Sequence, residues 1–141
     1  MEELKIKQLS VFMENRPGRL TEICRVLGGA GINIRGFSVA DMAEYGIFRL
    51  IVPDPEKAEK VLTAGGFTVN QSDVLCLDVP DRPGGLAGVL EIFSDNGVSV
   101  EYMYAIAYTK IIFSVEDLDK AISALQAREI KLLTQEEVAK L

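Results

Sequence analysis

Apolar residues recur along this chain at two spacings, and the two spacings alternate in a regular order. In residues 5–14 apolar and polar positions alternate, which predicts a β-strand. In residues 19–30 apolar positions recur at i, i+3, i+4 and i+7, which predicts an amphipathic helix. Continued through the first half, the pattern predicts strands over 5–14, 32–42, 47–52 and 67–69, and helices over 19–30 and 55–64. The order of elements is β-α-β-β-α-β.

The second half of the chain predicts the same order again. Its strands are expected over 74–79, 98–107, 111–115 and 130–133, and its helices over 85–96 and 118–125. Short connections restrict each set to a split β-α-β pair, an antiparallel sheet of strand order 4-1-3-2 with both helices on one face. We therefore predict an α+β protein of two tandem ferredoxin-like βαββαβ units, residues 1–70 and 71–141. A capping-box sequence that begins at Thr134 predicts a short terminal helix.

The tripeptide Arg-Pro-Gly stands at the same place in both units, between the first strand and the first helix. It occurs as residues 16–18 and again as 82–84, and a later glycine precedes the second strand of each unit. The tripeptide glycine lets the backbone turn at the helix N-terminus, where N–H groups and the helix dipole favour a carboxylate. A purely structural role is the alternative, because Pro-Gly makes a tight turn that Asn15 or Asp81 could close.

Composition narrows the classes of function. The formal net charge is −6 and the pI is about 4.7, without a dense run of Lys and Arg, so a nucleic-acid interface is disfavoured. The sequence has no histidine, the commonest general base and metal ligand, and no cofactor-binding loop in a suitable context. We therefore expect no enzymatic activity, no cofactor and no metal. Cys24 and Cys76 are predicted to be isolated buried thiols in a reducing compartment.

The cellular location is also open to prediction. No apolar run approaches the ~18 residues of a membrane-spanning helix, and residues 1–5 lack a signal-peptide pattern. We therefore expect a cytoplasmic protein that has no membrane partner.

The residues around the tripeptide resemble a known family. Asn-Arg-Pro-Gly-Arg-Leu at 15–20, followed by Gly-Ile-Asn-Ile at 31–34, closely resembles the ACT domain, an amino-acid-sensing module attached to many biosynthetic enzymes. Asp-Arg-Pro-Gly-Gly-Leu at 81–86, with Gly-Val-Ser-Val at 97–100, is similar to the family as well. The resemblance implies the same βαββαβ fold in both units and a small amino acid bound at a domain interface.

The resemblance also implies where the ligand would bind. In serine-sensing ACT domains an Asn before the tripeptide and an Asn after the Gly-Ile pair bind the amino acid, and Asn15 and Asn33 occupy those positions here. Met13 stands where such domains often have a histidine. The first site is expected to comprise Met13, Asn15, Arg16, Gly18, Leu20, Asn33 and Ile34, and the second Val79, Asp81, Gly84, Leu86, Ser99 and Val100. Asp81 and Ser99 replace the two asparagines, so we expect the two sites to differ.

Two functions are consistent with the sequence. The first is a non-catalytic regulatory protein that binds a small amino acid at ACT domain interfaces and modulates a biosynthetic or catabolic enzyme of amino-acid metabolism. The alternative is a regulatory subunit that docks an enzyme through its sheet edges and binds no ligand itself. Unpaired edge strands associate with other strands unless they are covered, so we expect a homodimer.

Overall fold

The computed structural model describes residues 1–40 and 43–141, which form two compact units. The first unit consists of Lys7–Ser72 with Lys140, and the second of Met1–Ile6, Asp73–Ala139 and Leu141. The contact boundary therefore lies between residues 72 and 73, and the domain limits 1–70 and 71–141 stay a prediction. None of the helices in the described part of the chain is long and apolar enough to cross a membrane.

The helices and strands follow the predicted order. After a short 3-10 turn at Glu2–Leu4, the elements are β1 (Ile6–Glu14), α1 (Arg19–Gly29), β2 (Gly36–Ala40), β3 (Tyr45–Ile51), α2 (Pro55–Ala64), β4 (Thr68–Asp78), α3 (Gly85–Asp95), β5 (Val100–Ala107), β6 (Lys110–Val115), α4 (Leu118–Ala127), β7 (Lys131–Leu132) and α5 (Gln135–Ala139). The order β-α-β-β-α-β occurs twice when β4 serves both as the last strand of the first set and as the first strand of the second. The predicted α+β class with tandem ferredoxin-like units is confirmed.

The first unit has the strand order β2-β3-β1-β4, which is the predicted order 4-1-3-2. Strands β1 and β2 both pair antiparallel with β3. One hydrophobic core joins the sheet to both helices and includes Leu9, Val11 and Met13 of β1, Ile23 and Leu27 of α1, and Ala58 and Leu62 of α2. Alternate residues of a strand share a face, so both helices cover the same face of this sheet.

The second unit repeats this arrangement with the strand order β7-β4-β6-β5. Strand β4 pairs antiparallel with β6 and β7, and β5 pairs antiparallel with β6. Phe93 of α3 meets Phe113 of β6 edge to face, with ring centroids 5.3 Å apart, inside a core that also contains residues of α4. Such an aromatic pair adds ~0.5–1.5 kcal/mol to the stabilisation from burial.

Strand β4 is longer than the sequence predicts. Two strands over 67–69 and 74–79 were expected on either side of a polar connection, whereas the structure has one strand of 11 residues. The polar side chains of the connection have partners: Gln71 Nε2 donates to carboxylate oxygens of Glu56 and Glu59, and Gln8 Nε2 donates to Ser72 Oγ at 3.4 Å. Because the segment contains neither Gly nor Pro, nothing in it interrupts an extended backbone.

Strands β2 and β5 begin later than predicted. Strand β2 starts at Gly36 rather than at residue 32, and β5 starts at Val100 rather than at residue 98. Before β2, the N–H of Ile34 donates to Asn33 Oδ1 at 2.9 Å, a local hydrogen bond that competes with strand pairing. The predicted end of the first of these strands, Met42, lies outside the described residues.

The two cysteines differ in exposure. Cys76 is buried as predicted, and burial raises the pKa of its thiol to about 12. Cys24 is exposed, so the prediction that it is buried was wrong. Of the predicted apolar stripe of α1, Ile23 and Leu27 are buried in the core, and Val26 packs against that core in place of Cys24.

Candidate functional site

The two Arg-Pro-Gly loops make the same turn at the tripeptide. In the first, the N–H of Arg16 donates to the carbonyl of Glu14 at 3.0 Å, and in the second the N–H of Arg82 donates to the carbonyl of Pro80 at 3.0 Å. Each tripeptide glycine is the N-cap of the following helix in the left-handed region, with φ of 89° at Gly18 and 82° at Gly84. This region is open to glycine and costly for other residues, so the tripeptide specifies a particular turn at a helix N-terminus.

Asn15 fastens the first loop to the connection between β2 and β3. Its side-chain Nδ2 donates to the carbonyl of Ala43 at 2.9 Å, and its backbone N–H donates to the carbonyl of Glu44 at 2.8 Å. These contacts give Asn15 a structural role, which is to link the loop to another connection rather than the closure of the Pro-Gly turn that the sequence suggested. They also hold the loop in one position beside the start of α1.

A hollow of about 410 Å³ opens at the first loop. Five residues of the predicted first site line it, namely Met13, Asn15, Arg16, Gly18 and Leu20, together with Glu14, Pro17, Arg19 and Thr21. The hollow is therefore lined by those residues of the predicted site that precede α1 or belong to its first turn. Its volume is within the ~300–1,000 Å³ that small-molecule pockets occupy.

The structure places the remaining two residues of the predicted first site elsewhere. Asn33 lines a separate hollow of about 300 Å³ with Arg35, Asp54 and Lys57 among its neighbours. Ile34 packs against the core of the first unit. Their participation in one site with Asn15 stays a prediction.

Charged residues at the first hollow were missed by the sequence analysis. Arg19 Nη1 donates to Glu22 Oε2 at 2.7 Å, and the Arg19 guanidinium lies 4.6 Å from the centroid of the Phe67 ring. Arg19 Nε lies 3.4 Å from Glu14 Oε2, although this buried nitrogen has no hydrogen-bond partner in the described part of the chain. The spacing of Arg19 and Glu22, three residues apart on a helix, is a signal from which this pair could have been predicted.

The second loop provides different surroundings. Of the predicted second site, Asp81, Gly84 and Ser99 are exposed, Leu86 and Val100 are half-buried, and Val79 is buried. The backbone N–H of Val79 donates to the carbonyl of Thr109 at 2.9 Å. That hydrogen bond joins the end of β4 to the β5–β6 turn, as Asn15 joins its loop to the β2–β3 connection.

Three charged residues of the first loop have no charged counterpart in the second, where only Arg82 matches Arg16. Pro80, Gly85 and Gly88 stand at the positions that correspond to Glu14, Arg19 and Glu22. A Cβ added to Gly85 would lie 2.0 Å from the carbonyl oxygen of Pro80, so no side chain fits there without a shift of the backbone. The two loops therefore make the same turn at the tripeptide glycine, and they differ in charge and in how closely the residue after the tripeptide approaches the carbonyl at its start.

Comparison with known proteins agrees with this architecture. A family model described as an ACT domain pair matches residues 4–141. The chain belongs to the ACT domain family. The ACT pair is thus a member of a regulatory family, as the sequence resemblance implied. No curated protein matches the chain.

Three similar solved structures fall at two levels of sequence identity. Protein BT0572 from Bacteroides thetaiotaomicron is 40% identical, with a TM-score of 0.93 and coverage of 98% of both chains. The ligand-free regulatory subunit of aspartate kinase from Thermus thermophilus is 15% identical, with a TM-score of 0.66 over 89% of this chain and 92% of that one. The corresponding subunit from Thermus flavus is 14% identical, with a TM-score of 0.60 over 88% and 92%. At 15% and 14% identity, the two kinase subunits show only that their fold is shared with this chain.

Proposed function

We propose that this ACT pair is a non-catalytic regulatory protein that binds a small amino acid at the first Arg-Pro-Gly loop and modulates an enzyme of amino-acid metabolism. The observation that carries the proposal is the hollow of about 410 Å³ at the N-terminus of α1. It is large enough for a small amino acid, and its polar lining offers groups for both charged ends of that ligand.

The start of α1 supports carboxylate binding. The N-cap is Gly18, which has no side chain to cap the first turn. Helix N-termini attract anions because first-turn N–H groups point outward and the helix dipole is positive there. Arg16 and Arg19 of the hollow add positive charge, while Asn15 holds the loop in place.

The fold comparison supports a regulatory role. The regulatory subunit of aspartate kinase from Thermus thermophilus matches most of this chain and is matched over most of its own length. A pair of domains of this fold is therefore compatible with a role as the regulatory partner of an enzyme. We propose that the ACT pair acts in the cytoplasm on such a partner.

Exposed apolar side chains at the sheet edges support a homodimer. Phe37 on edge strand β2 is 60% exposed although it pairs with the buried Leu50, and Met103 on edge strand β5 is 42% exposed although it pairs with the buried Phe113. Both therefore lie on the core side of their strands but at an uncovered margin, where apolar surface promotes association. We expect light scattering to give twice the monomer mass for the wild type and the monomer mass for the variant with Phe37→Ser and Met103→Ser.

A thermal-shift screen against the common L-amino acids tests ligand binding. A ligand present at ~100 times its Kd adds ~2.7 kcal/mol of stability, which raises the Tm by several degrees in a protein of this size. Gly18→Ala is expected to abolish the shift by straining the first loop, and Gly84→Ala, its match in the second loop, is expected to preserve it. If no amino acid stabilises the wild type, the alternative function of docking an enzyme through the exposed edges is favoured.

A further inference from the structure

Four charged side chains surround the first loop and form what we call the charge cluster: Glu14, Arg16, Arg19 and Glu22. It contains two cations and two anions. Arg16 Nε donates to Glu14 Oε2 at 3.4 Å, and Arg16 Nη1 lies 3.9 Å from Glu22 Oε1. Arg19 reaches the same two glutamates, at 3.4 Å from Glu14 and 2.7 Å from Glu22. Three of these residues, Glu14, Arg16 and Arg19, line the hollow.

The two arginines of the charge cluster are held to different degrees. The Arg19 side chain is 15% exposed, makes the short contact to Glu22 and lies over the ring of Phe67. The Arg16 side chain is 54% exposed and makes only the longer contacts. Exposed ion pairs with such geometry are worth ~0–1 kcal/mol, so a ligand can replace them at small cost. Arg16 is therefore the arginine that is available to a ligand.

Glu14 is placed to bind a positively charged group. Its side chain is 51% exposed, and its Oε2 is shared between the two arginines at 3.4 Å from each Nε. On β3, Tyr45 is directly opposite Glu14, which places the carboxylate at the end of the sheet where the loop begins. A carboxylate in this position can accept charge-assisted hydrogen bonds from an ammonium group.

Resting on the proposed function, we infer that Glu14 and Arg16 recognise the two charged ends of a zwitterionic α-amino acid. Glu14 accepts hydrogen bonds from the α-ammonium group, and Arg16 donates to the α-carboxylate together with the first turn of α1. Arg19 is a positioning residue that holds Glu14 and Glu22 through its ion pairs. A ligand that lacks the ammonium group leaves Glu14 without its new partner, and a ligand that lacks the carboxylate leaves Arg16 without its new partner.

The second loop lacks this recognition. Pro80 stands in place of Glu14, and only Arg82 remains of the four charged positions. The steric contact of Gly85 with Pro80 also excludes a counterpart of Arg19. Selection for a zwitterion is therefore a property of the first unit, and Arg82 provides a matched control for Arg16.

Calorimetric titration of the full chain tests the inference. The probes are an L-amino acid that stabilises the wild type in the thermal-shift screen, the amine formed by its decarboxylation, and its 2-hydroxy acid. Wild type is expected to bind the amino acid about 10- to 100-fold more tightly than either analogue, the range for one charge-assisted hydrogen bond. Glu14→Gln should lose most of the preference over the hydroxy acid, and Arg16→Gln most of the preference over the amine. Arg82→Gln should bind all three probes like the wild type.

The outcomes separate this inference from the proposed function. Binding of the amino acid by wild type, with unchanged affinity and selectivity in both Glu14→Gln and Arg16→Gln, would overturn the inference alone. Absence of binding to wild type would overturn the proposed function and the inference with it. Because Glu14 also pairs with Arg19, Glu14→Asp is a second variant: it keeps the charge but withdraws the carboxylate, and it should weaken amino-acid binding about 10-fold without lowering the Tm of the free protein.

Discussion

Four glycines around the Arg-Pro-Gly loops separate the cost of backbone conformation from the cost of crowding. Gly18 and Gly84 have φ of +89° and +82°, and a Cβ added to either would meet nothing within 4 Å. Gly85 has no positive φ, but its added Cβ would lie 2.0 Å from the carbonyl oxygen of Pro80. Gly88, one turn further into α3, has neither a positive φ nor a neighbour within 4 Å of an added Cβ. Gly18 and Gly84 therefore test the left-handed backbone conformation, Gly85 tests steric contact, and Gly88 is a control that has neither constraint.

The structure predicts how much each alanine substitution changes the free energy of unfolding. At Gly18 and Gly84 an L-residue in the left-handed region costs ~1–2 kcal/mol, and the two values should agree because the two turns agree. At Gly85 the contact is with a backbone oxygen that cannot rotate away, so the cost should reach ~3 kcal/mol, the upper end for overpacking. At Gly88 alanine has a helix-propensity advantage of ~0.5–1 kcal/mol and should stabilise the protein.

Equilibrium unfolding in urea, followed by circular dichroism, measures these free energies. The expected order of stability is Gly88→Ala, wild type, the Gly18→Ala and Gly84→Ala pair, and then Gly85→Ala. The reasoning would be refuted if Gly85→Ala were as stable as Gly88→Ala, because the loop would then not hold this residue against Pro80. Unequal costs at Gly18 and Gly84 would show that the two turns differ at the tripeptide glycine itself.

Further expectations concern the cysteines, the first core and the terminal helix. A thiol reagent should modify Cys24 in the native protein and reach Cys76 only on unfolding, because Cys76 is fully buried and its thiol pKa is raised to about 12. Leu27→Ala should cost ~2–5 kcal/mol in urea unfolding, whereas Cys24→Ala, one turn earlier on the exposed side of the same helix, should stay within ~0.5 kcal/mol of wild type. The N–H of Thr134 donates to Glu137 at 3.1 Å and holds the pKa of that carboxyl below its ordinary value of 4.5. The stability gained from this contact is therefore present above pH 4.5 and lost as pH falls through the lowered pKa, and an unfolding series across acid pH should show a smaller loss in Glu137→Gln.

The order of elements could be predicted from the sequence because apolar spacing reports directly on which face of an element is buried. The same signal gave the wrong exposure for Cys24. The predicted stripe of α1 comprised residues 20, 23, 24 and 27, and packing against the sheet buries only residues 23 and 27 of these four. The continuity of β4 could not be predicted either, because its polar residues form hydrogen bonds with α2 and β1 that the local sequence pattern does not indicate.

The candidate site was predictable in its backbone and less so in its charges. The Arg-Pro-Gly pattern indicates a turn at a helix N-terminus, and the positive φ of both glycines agrees with that expectation. The pairing of Glu14 with Arg19 depends on how a strand end meets a helix start, which the spacing of the residues does not determine. The separate position of Asn33 likewise follows from its local hydrogen bond to the backbone of Ile34.

Duplication of the ACT unit has kept the turn and changed what surrounds it. The second loop cannot acquire the charge cluster by single substitutions, because any side chain at residue 85 meets the carbonyl oxygen of Pro80, which every residue at position 80 would also carry. Gly85→Arg should therefore destabilise the second unit by at least as much as Gly85→Ala, and it should not create zwitterion selectivity there. In the first unit Arg19 is accommodated at the corresponding position, where its guanidinium lies over Phe67. The backbone contact at residue 85 therefore restricts the proposed recognition of a zwitterion to the first unit.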